Sequence, residues 1–578
     1  MTRRGAGIAL LGSAAGVFAA WSAAVFAGAW TFATPAAFIA PAVDALFALI
    51  LTSALLVLLR DTLLGLFLAA VLPPLLLALS TAKWLVLGDS ALFSDVSLLV
   101  DLARASSLAE VALAGGTAAL VLLLVLVSLR LPRRADWPRL LPLALTLALA
   151  AAPAAATRAG PAAAEAFSAH LSGLVVADMR LLGQVMYAWM QGARATLAAE
   201  QAAPSPPPPA VPVPLEPRSV HIVVVESLTD PRGFPGFALG PGALPARFAA
   251  WLDAPAASLL VPVFGSLSSN TEFEILCGLP AGRRSAEVLF RQLRADMALD
   301  CLPRRLAEAG FATLALAPNA PGFFNADAAY RALGFANRRF DRDLDMTDRD
   351  GIWLSAEATL RQSAAAARAV ARPVLNYVFV NASHYPFDRD RARRPDRVDV
   401  SPPDALFAAW ANAIHWAAVA VEGFVAGVLA EEPGALIVIL GDHQPPLGAN
   451  FAGYRTGGRL PAGDTTPPLS RPEMFETPLI LIGEGVEPAA GRLPAWALPD
   501  VILDILSRGE HCRRSACAHH AEAMPRPFRS QVMAVPRDGG AVLRCGPSER
   551  AGRCADAWRE ADRLAGHVEW LLSAGRGR

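Results

Sequence analysis

Apolar runs dominate the first 160 residues of the chain and dictate that this part dissolve in lipid. A helix needs about 20 residues to cross the hydrocarbon core of a bilayer. Five stretches meet that need: Gly7 to Phe32, Ala37 to Leu59, Leu63 to Leu79, Val111 to Leu129 and Leu140 to Ala156. The first is too long, and too soon followed by others, to be a cleaved signal peptide. Arg3 and Arg4 precede it, Arg60 separates the second stretch from the third, and Arg130, Arg133, Arg134 and Arg139 cluster between the fourth and fifth. Such positive loops stay in the cytoplasm, so five spans export everything downstream. Pro73 and Pro74 kink or end the third span, and a count of four or six would instead leave the remainder in the cytoplasm. The segment from Gly88 to Ser107, which carries acids among its leucines, reads as interfacial.

All six cysteines, Cys277, Cys301, Cys512, Cys517, Cys545 and Cys554, lie beyond the apolar third. An oxidising compartment pairs such a set, Cys277 with Cys301 and the last four among themselves in one of three ways; buried free thiols are the plain alternative. Cysteine usage and span orientation thus point to the same side of the membrane. The 51 basic and 51 acidic residues cancel, and no basic stripe with interleaved aromatics is present, which argues against a nucleic-acid partner.

Between membrane and soluble parts, Ala162 to Ala199 places Phe167, Leu171, Leu174, Leu182, Val185 and Trp189 near one helical face. That helix lies either along the membrane surface or against the soluble domain. Pro204 to Pro217 then forms a semi-rigid spacer. The expected organisation is a five-helix transmembrane domain over 1–157, an amphipathic helix and Pro-rich linker over 158–218, a catalytic core over 219–487, and a cysteine-containing part of the external domain over 488–578. That last part shows little sheet-like pattern and is expected to be stapled by disulfides, with a closing helix over Leu564 to Leu572.

In the soluble part, apolar runs at His221 to Val225, Leu259 to Val263, Thr313 to Leu316, Val374 to Val380, Leu436 to Leu440 and Leu479 to Ile482 alternate with helical patterns. This predicts an α/β domain with a mostly parallel sheet covered on both faces, whose working groups collect at the carboxyl ends of the strands. The first run ends in Glu226 and the fifth in Gly441-Asp442-His443, which brings two carboxylates and an imidazole to one sheet edge. Those donors suit a divalent ion such as Mn2+, Mg2+ or Zn2+, and Gly441 is expected to allow a sharp turn that aims both side chains at it. A third element, Phe264 to Pro280, leaves a strand, turns at Gly265 and enters a helix with Ser268 at or near its N-cap. Backbone amides and the positive helix end there favour an anionic phosphate or sulfate and an ionised hydroxyl. Ordinary capping by Ser266, Ser268 or Ser269 explains the same residues without catalysis.

Together these motifs resemble the lipoteichoic acid synthase family of the alkaline phosphatase and sulfatase superfamily, which includes phosphoglycerol transferases acting on periplasmic glucans. The resemblance covers the plan of spans, linker and external domain. It is specific at Val-Val-Glu226-Ser, Ser268-Ser-Asn-Thr-Glu-Phe-Glu, Asn381-Ala-Ser-His384-Tyr-Pro-Phe and Gly-Asp442-His443. It implies Glu226, Ser268, Asp442 and His443 as metal ligands, Ser268 as nucleophile and His384 at the substrate. The family's usual nucleophile is Thr. Where its lipoteichoic acid synthases hold glycerol phosphate with a His, a Trp and an Arg, this chain offers Ala317, Phe324 and Ala326, of which Phe324 can stack on substrate or serve as a core aromatic. The expected activity is metal-dependent transfer of a phosphoglycerol-type group from a phospholipid, phosphatidylglycerol in the first instance, to an envelope glycan. The membrane is then the inner (plasma) membrane of a bacterial-type cell, crossed several times, with the catalytic domain outside the cytoplasm. The rivals are a phosphoethanolamine transferase or sulfatase-like hydrolase on the same fold, and an inactive envelope-binding protein. Cys277-Gly-Leu-Pro280 has one residue too many for the motif that matures to formylglycine, which argues against that kind of sulfate ester chemistry.

Overall fold

The computed structural model describes residues 204–207, 212–254, 257–281, 288–448, 451–461, 469, 471–486, 491–515, 517, 532–534, 543–545 and 551–574, with Gly16, Asp44, Ala45, Ala48 and Leu77 from the first third. Apart from those five residues, the expected spans lie outside the described residues, as do the helix expected over 162–199 and part of the proline spacer. The chain divides into two compact units, Met1–Leu197 and Ala198–Arg578, and the structure described is that of the second.

Eight strands form its main sheet: β1 (Val220–Val225), β2 (Ala257–Leu260), β3 (Ala312–Leu316), β4 (Asn337–Arg339), β5 (Val374–Val380), β6 (Leu436–Gly441), β7 (Glu476–Ile482) and β8 (Gly491–Pro494). Their order is β8-β2-β7-β6-β1-β5-β3-β4, and only β7 runs against its neighbours β6 and β2. Each of the six predicted apolar runs overlaps a strand, although β2 ends at Leu260 and shares only two residues with the run Leu259 to Val263. β1, β5 and β6 are buried along their whole length, which is why they read as continuous Val, Leu and Ile rather than as alternating patterns. β4 and β8 escape a reading by periodicity because they are three- and four-residue edge strands with charged or proline positions. The sheet and its packing extend past residue 487 through β8.

The helices that matter for the site are α1 (Ser268–Cys277), α2 (Leu302–Glu308), α3 (Ala326–Leu333), α4 (Ala356–Arg368), α5 (Ala405–Glu431), α6 (Leu498–Leu506) and α7 (Ala555–Ala574). Among the described residues α5 alone is long and apolar enough to cross a membrane. It does so on paper only because one of its faces is core: Phe407, Trp410, Ile414, Val421, Phe424 and Val425 pack with the β1, β5 and β6 side chains in one continuous cluster. Toward the C-terminus, Val532–Ala534 and Leu543–Cys545 pair antiparallel, a two-stranded sheet that their three-residue length hid from sequence reading, and α7 closes the chain where a helix was expected. All six cysteines are paired, Cys277 with Cys301, Cys512 with Cys517 and Cys545 with Cys554.

Two ties hold α1 in place. At its C-terminal end, the Cys277–Cys301 bridge joins it to the residue that caps α2. In its middle, the buried carboxylate of Glu272 accepts hydrogen bonds from Tyr330 Oη of α3 at 2.5 Å and Tyr377 Oη of β5 at 2.7 Å. Burial, opposed by the two phenols and assisted by the charge of Asp442, pushes the Glu272 carboxyl up from 4.5 to about 7. Removing the bridge as Cys277→Ser/Cys301→Ser is expected to lower unfolding free energy by about 2–4 kcal/mol, read from the denaturant midpoint; an unchanged midpoint contradicts that role. For Glu272 the folded protein holds its proton more tightly than the unfolded chain, so stability is lost as pH rises from about 4.5 through about 7. The loss is on the order of 3 kcal/mol. Glu272→Gln keeps an acceptor for both tyrosines and should reduce this pH slope in denaturant titrations; Glu226 and Glu274 shift in the same direction, so some slope remains.

Candidate active site

The site is assembled by strand register. β1 and β6 run parallel with Val225 opposite Gly441, so the next residues, Glu226 and Asp442, leave the sheet side by side. On the other flank Val225 lies opposite Val380 of β5, so the segment that carries His384 leaves at the same edge. β2 is antiparallel to β7 and β7 to β6, which aims the end of β2, and the turn that follows it, toward that edge as well. Gly441 has no positive φ and makes no sharp turn, contrary to expectation; a Cβ there would stand 2.4 Å from the carbonyl oxygen of Leu228, so the glycine serves close backbone approach. The unusual backbone belongs instead to Ser227, just after Glu226, and to Leu267, just before Ser268, both left-handed at φ 56° and 60°.

Glu226, Asp442 and His443 are buried, with one ligand atom from each within 4.8 Å of the others. His443 Nε2 lies 3.3 Å from Glu226 Oε1 and 3.3 Å from Asp442 Oδ2. Its Nδ1 donates to the carbonyl of Gln444 at 3.0 Å, which leaves the Nε2 lone pair directed at the carboxylates. Asp442 Oδ1 accepts from the backbone amides of Ser227 at 2.7 Å and His443 at 2.8 Å, whereas Oδ2 is buried and has no hydrogen-bond partner. Glu226 Oε1 accepts from Ser227 Oγ at 3.0 Å, yet burial first and the charge of Asp442 second push its carboxyl well above the usual carboxylate range. Two buried carboxylates, one with an orphaned oxygen, and an imidazole nitrogen converge on one point. A divalent cation with oxygen and nitrogen ligands fits that donor set. A second cluster, His511 with Cys512 and Cys517, offers no thiolate because its two sulfurs are bonded to each other.

Ser268 opens α1, and Leu267 is the N-cap; no side chain caps the helix, so capping does not account for Ser266, Ser268 or Ser269. The residues on either side of Ser268 are tied to the metal-type cluster. Gly265 N donates to the Gln444 carbonyl at 3.2 Å, and Thr271 Oγ1 donates to the Asp442 carbonyl at 2.7 Å. The half-buried Ser268 lies between these anchors, at a helix end whose free amides favour negative charge. His384 Nδ1 donates to the carbonyl of Tyr385 at 2.6 Å, and its ring packs on Trp353 at 5.0 Å. Burial lowers its pKa, and His443 lowers it further, against the Tyr385 hydrogen bond and the charge of Asp442. Phe324 does not touch His384: it packs on Phe323 at 4.5 Å, which meets Trp353 at 6.3 Å. Ala317 and Ala326 are buried.

Gln444 has no sequence signature of its own and turns out to hold the site together. Its carbonyl takes both the His443 and Gly265 bonds, its Nε2 donates to the Glu476 carbonyl, and its Oε1 accepts from Tyr454 Oη and Arg459 Nη1, each at 3.3 Å. Thr271 and Glu272 lie within the Ser268 motif, where one-turn spacing was the available signal; Trp353 had none.

The family model described as Sulfatase matches residues 219–499, the span that holds β1 to β8 and every residue above. A protein of Rhizobium meliloti (strain 1021), named for cyclic beta-1,2-glucan modification, is 25% identical over 273 residues, which cover 45% of this chain and 41% of that one; the chain thus matches less than half of its relative's length. Among solved structures, the lipoteichoic acid synthase LtaP from Listeria monocytogenes is similar at 14% identity and a TM-score of 0.46, over 66% of this chain and 98% of its own. The integral membrane lipooligosaccharide phosphoethanolamine transferase A from Neisseria meningitidis is similar at 13% identity and a TM-score of 0.49, over 86% of this chain and 95% of its own. The family match thus covers residues 219–499, a little under half of the chain.

Proposed function

We propose that the chain is a metal-dependent membrane phosphotransferase that moves a phosphoglycerol-type group from a phospholipid, phosphatidylglycerol foremost, to an envelope glycan through a covalent Ser268 intermediate. The observation that carries this reading is the buried Glu226–Asp442–His443 cluster with its partnerless Asp442 oxygen, and the Ser268 turn tied to Asp442 and Gln444 in the segment after β6. The glycan acceptor is supported by the name of the Rhizobium relative. The membrane location is supported by the five apolar stretches, and an extracytoplasmic domain by the pairing of all six cysteines.

In this mechanism Glu226, Asp442 and His443 hold one divalent ion, Mn2+ foremost with Mg2+ or Zn2+ as alternatives, and Ser268 Oγ completes its ligands. The ion, when bound, stabilises the ionised serine and withdraws charge from the phosphoryl oxygens. Ser268 Oγ attacks phosphorus, an O–P bond forms, and the bond to the diacylglycerol oxygen breaks. One proton passes from the serine hydroxyl to the departing oxygen. In the second step a glycan hydroxyl attacks phosphorus and returns its proton to Ser268 Oγ as that bond breaks. The His384 imidazole would carry the proton both ways. Phe324 supports the substrate through the ring series that ends on His384.

Head-group-labelled phosphatidylglycerol, mixed with the purified full chain and Mn2+, is expected to leave label on Ser268 and none on Ser268→Ala. Label from phosphatidylethanolamine instead supports the head-group rival, and no turnover of either lipid supports an inactive binding protein. In calorimetric titration, His443→Ala is expected to lose Mn2+ affinity by at least about 100-fold, and Gln444→Ala, which keeps the carbonyl that meets His443 but loses the side-chain bonds that anchor that segment, by about 10-fold. Unchanged affinity in both contradicts the metal site.

A further inference from the structure

Polar atoms buried without a partner are rare, and each needs a reason. Three of them lie shortly past the carboxyl ends of strands in the main sheet: Asp442 Oδ2 after β6, Asn381 Oδ1 after β5 and Asn319 Oδ1 after β3. The first belongs to the candidate metal cluster. The other two lie on the far side of β1 from it, and the transfer steps leave them unused.

Alternation along the strands sets the face on which Asn381 stands. Val223 and Val225 of β1 and Val378 and Val380 of β5 pack in the core cluster with α5, whereas Tyr377 of β5 reaches Glu272 of α1. Side chains alternate faces along a strand, so Glu226 and Asn381, each the first residue after its strand, both fall on the face of α1, the helix that Ser268 opens. The ladder carries to this point, since Glu226 N donates to the Val380 carbonyl at 3.0 Å. Asn381 is only 3% exposed, and its carbonyl accepts from the His384 amide at 3.0 Å, while Ser383 Oγ ties the same turn to the Glu226 carbonyl. Leu316 of β3 lies opposite Val378, and Asn319 and Asn381 each follow three residues on. The two asparagines thus fall in line beside Glu226, at one and two strand spacings of about 5 Å each. The Asn319 backbone is fixed too, its amide on the Ala317 carbonyl at 2.8 Å and its carbonyl under the Asp341 amide at 3.1 Å. Neither carboxamide nitrogen has a hydrogen-bond partner among the described residues. The charges nearest Asn319 are one of each sign, Arg339 opposite Leu316 and then Asp341, so they favour neither an anion nor a cation.

A carboxamide offers an acceptor oxygen and a donor nitrogen. A hydroxyl gives to the first and takes from the second, whereas an ammonium only gives and leaves Nδ2 aimed at a cation. We propose that Asn381 and Asn319 hydrogen-bond the hydroxyls of an uncharged polyol carried by the phosphate at the Glu226–Asp442–His443 cluster. The inference rests on the transfer reading for the place of that phosphate, and it makes the two asparagines the residues that select a glycerol-type over an ethanolamine-type head group.

The test is calorimetric titration of the Mn2+-loaded full chain with glycerol phosphate and with phosphoethanolamine, two monoesters that carry no lipid to transfer. Glycerol phosphate is expected to bind at least about ten-fold tighter, since two hydrogen-bonding carboxamides are at stake. Asn381→Ala and Asn319→Ala should each weaken it about five-fold, with Mn2+ and phosphoethanolamine affinities held within about two-fold. Asn319→Asp keeps the shape, removes the donor and adds a negative charge, and should move the ratio toward phosphoethanolamine; an asparagine with a structural role alone weakens both monoesters alike. Equal affinities in the parent, no binding of either monoester, a ratio unmoved by all three variants, Mn2+ affinity lost in Asn381→Ala, or a loss confined to binding of a β-1,2-glucan oligosaccharide overturns the inference. Label on Ser268 from phosphatidylglycerol beside an unmoved ratio leaves the transfer reading standing without this inference. A moved ratio without label on Ser268 leaves this inference standing without that reading.

Discussion

Two carboxylates forced side by side in a dry interior govern this structure. Strand register alone places Glu226 and Asp442 next to each other, and both are buried. Uncompensated, such a pair costs several kcal/mol, and the upward shift of Glu226 is the visible sign of that cost. The surrounding groups relieve only part of it. Ser227 and His443 donate to one oxygen of Asp442, and the other oxygen has no hydrogen-bond partner. Gln444 fixes the histidine tautomer that turns a lone pair toward the same point. A cation there removes the repulsion and satisfies the orphaned oxygen in one event.

The same frame explains why Ser268 begins a helix that none of its serines caps. α1 is held at the first turn by Thr271 and Gly265, in the middle by two phenols on Glu272, and at the end by a disulfide. Its free amides are thus presented at the sheet edge. Leu267 and Ser227 bear left-handed backbones at the two approaches to the cluster, conformations that persist only where packing over-determines them.

Much of this could be read from the residues. Continuous Val-Ile-Leu runs announced all six longer strands, because strands buried on both faces need no alternation. Glu226, Asp442 and His443 were legible as candidate ligands because they lie just past the ends of two such runs. The pairing of Cys277 with Cys301 followed from their isolation from the other four. What escaped reading depends on atoms brought together from afar. Gly441 looked like a turn residue, but its need is set by the Leu228 carbonyl 2.4 Å from where its Cβ would be. Gln444 is an ordinary polar residue until Gly265, Tyr454 and Arg459 gather on it. α5 has the composition of a membrane span and is instead a core helix, since hydropathy does not tell lipid from a sheet face.

The most direct test is diffraction from crystals of the protein grown with Mn2+, with anomalous scattering recorded at the manganese edge. One ion is predicted at the edge between β1 and β6, with Glu226, Asp442, His443 Nε2 and Ser268 Oγ as ligands at about 2.0–2.3 Å. An ion held elsewhere, no anomalous peak at the cluster, or a Ser268 oxygen that stays several ångströms from a bound ion would contradict the account.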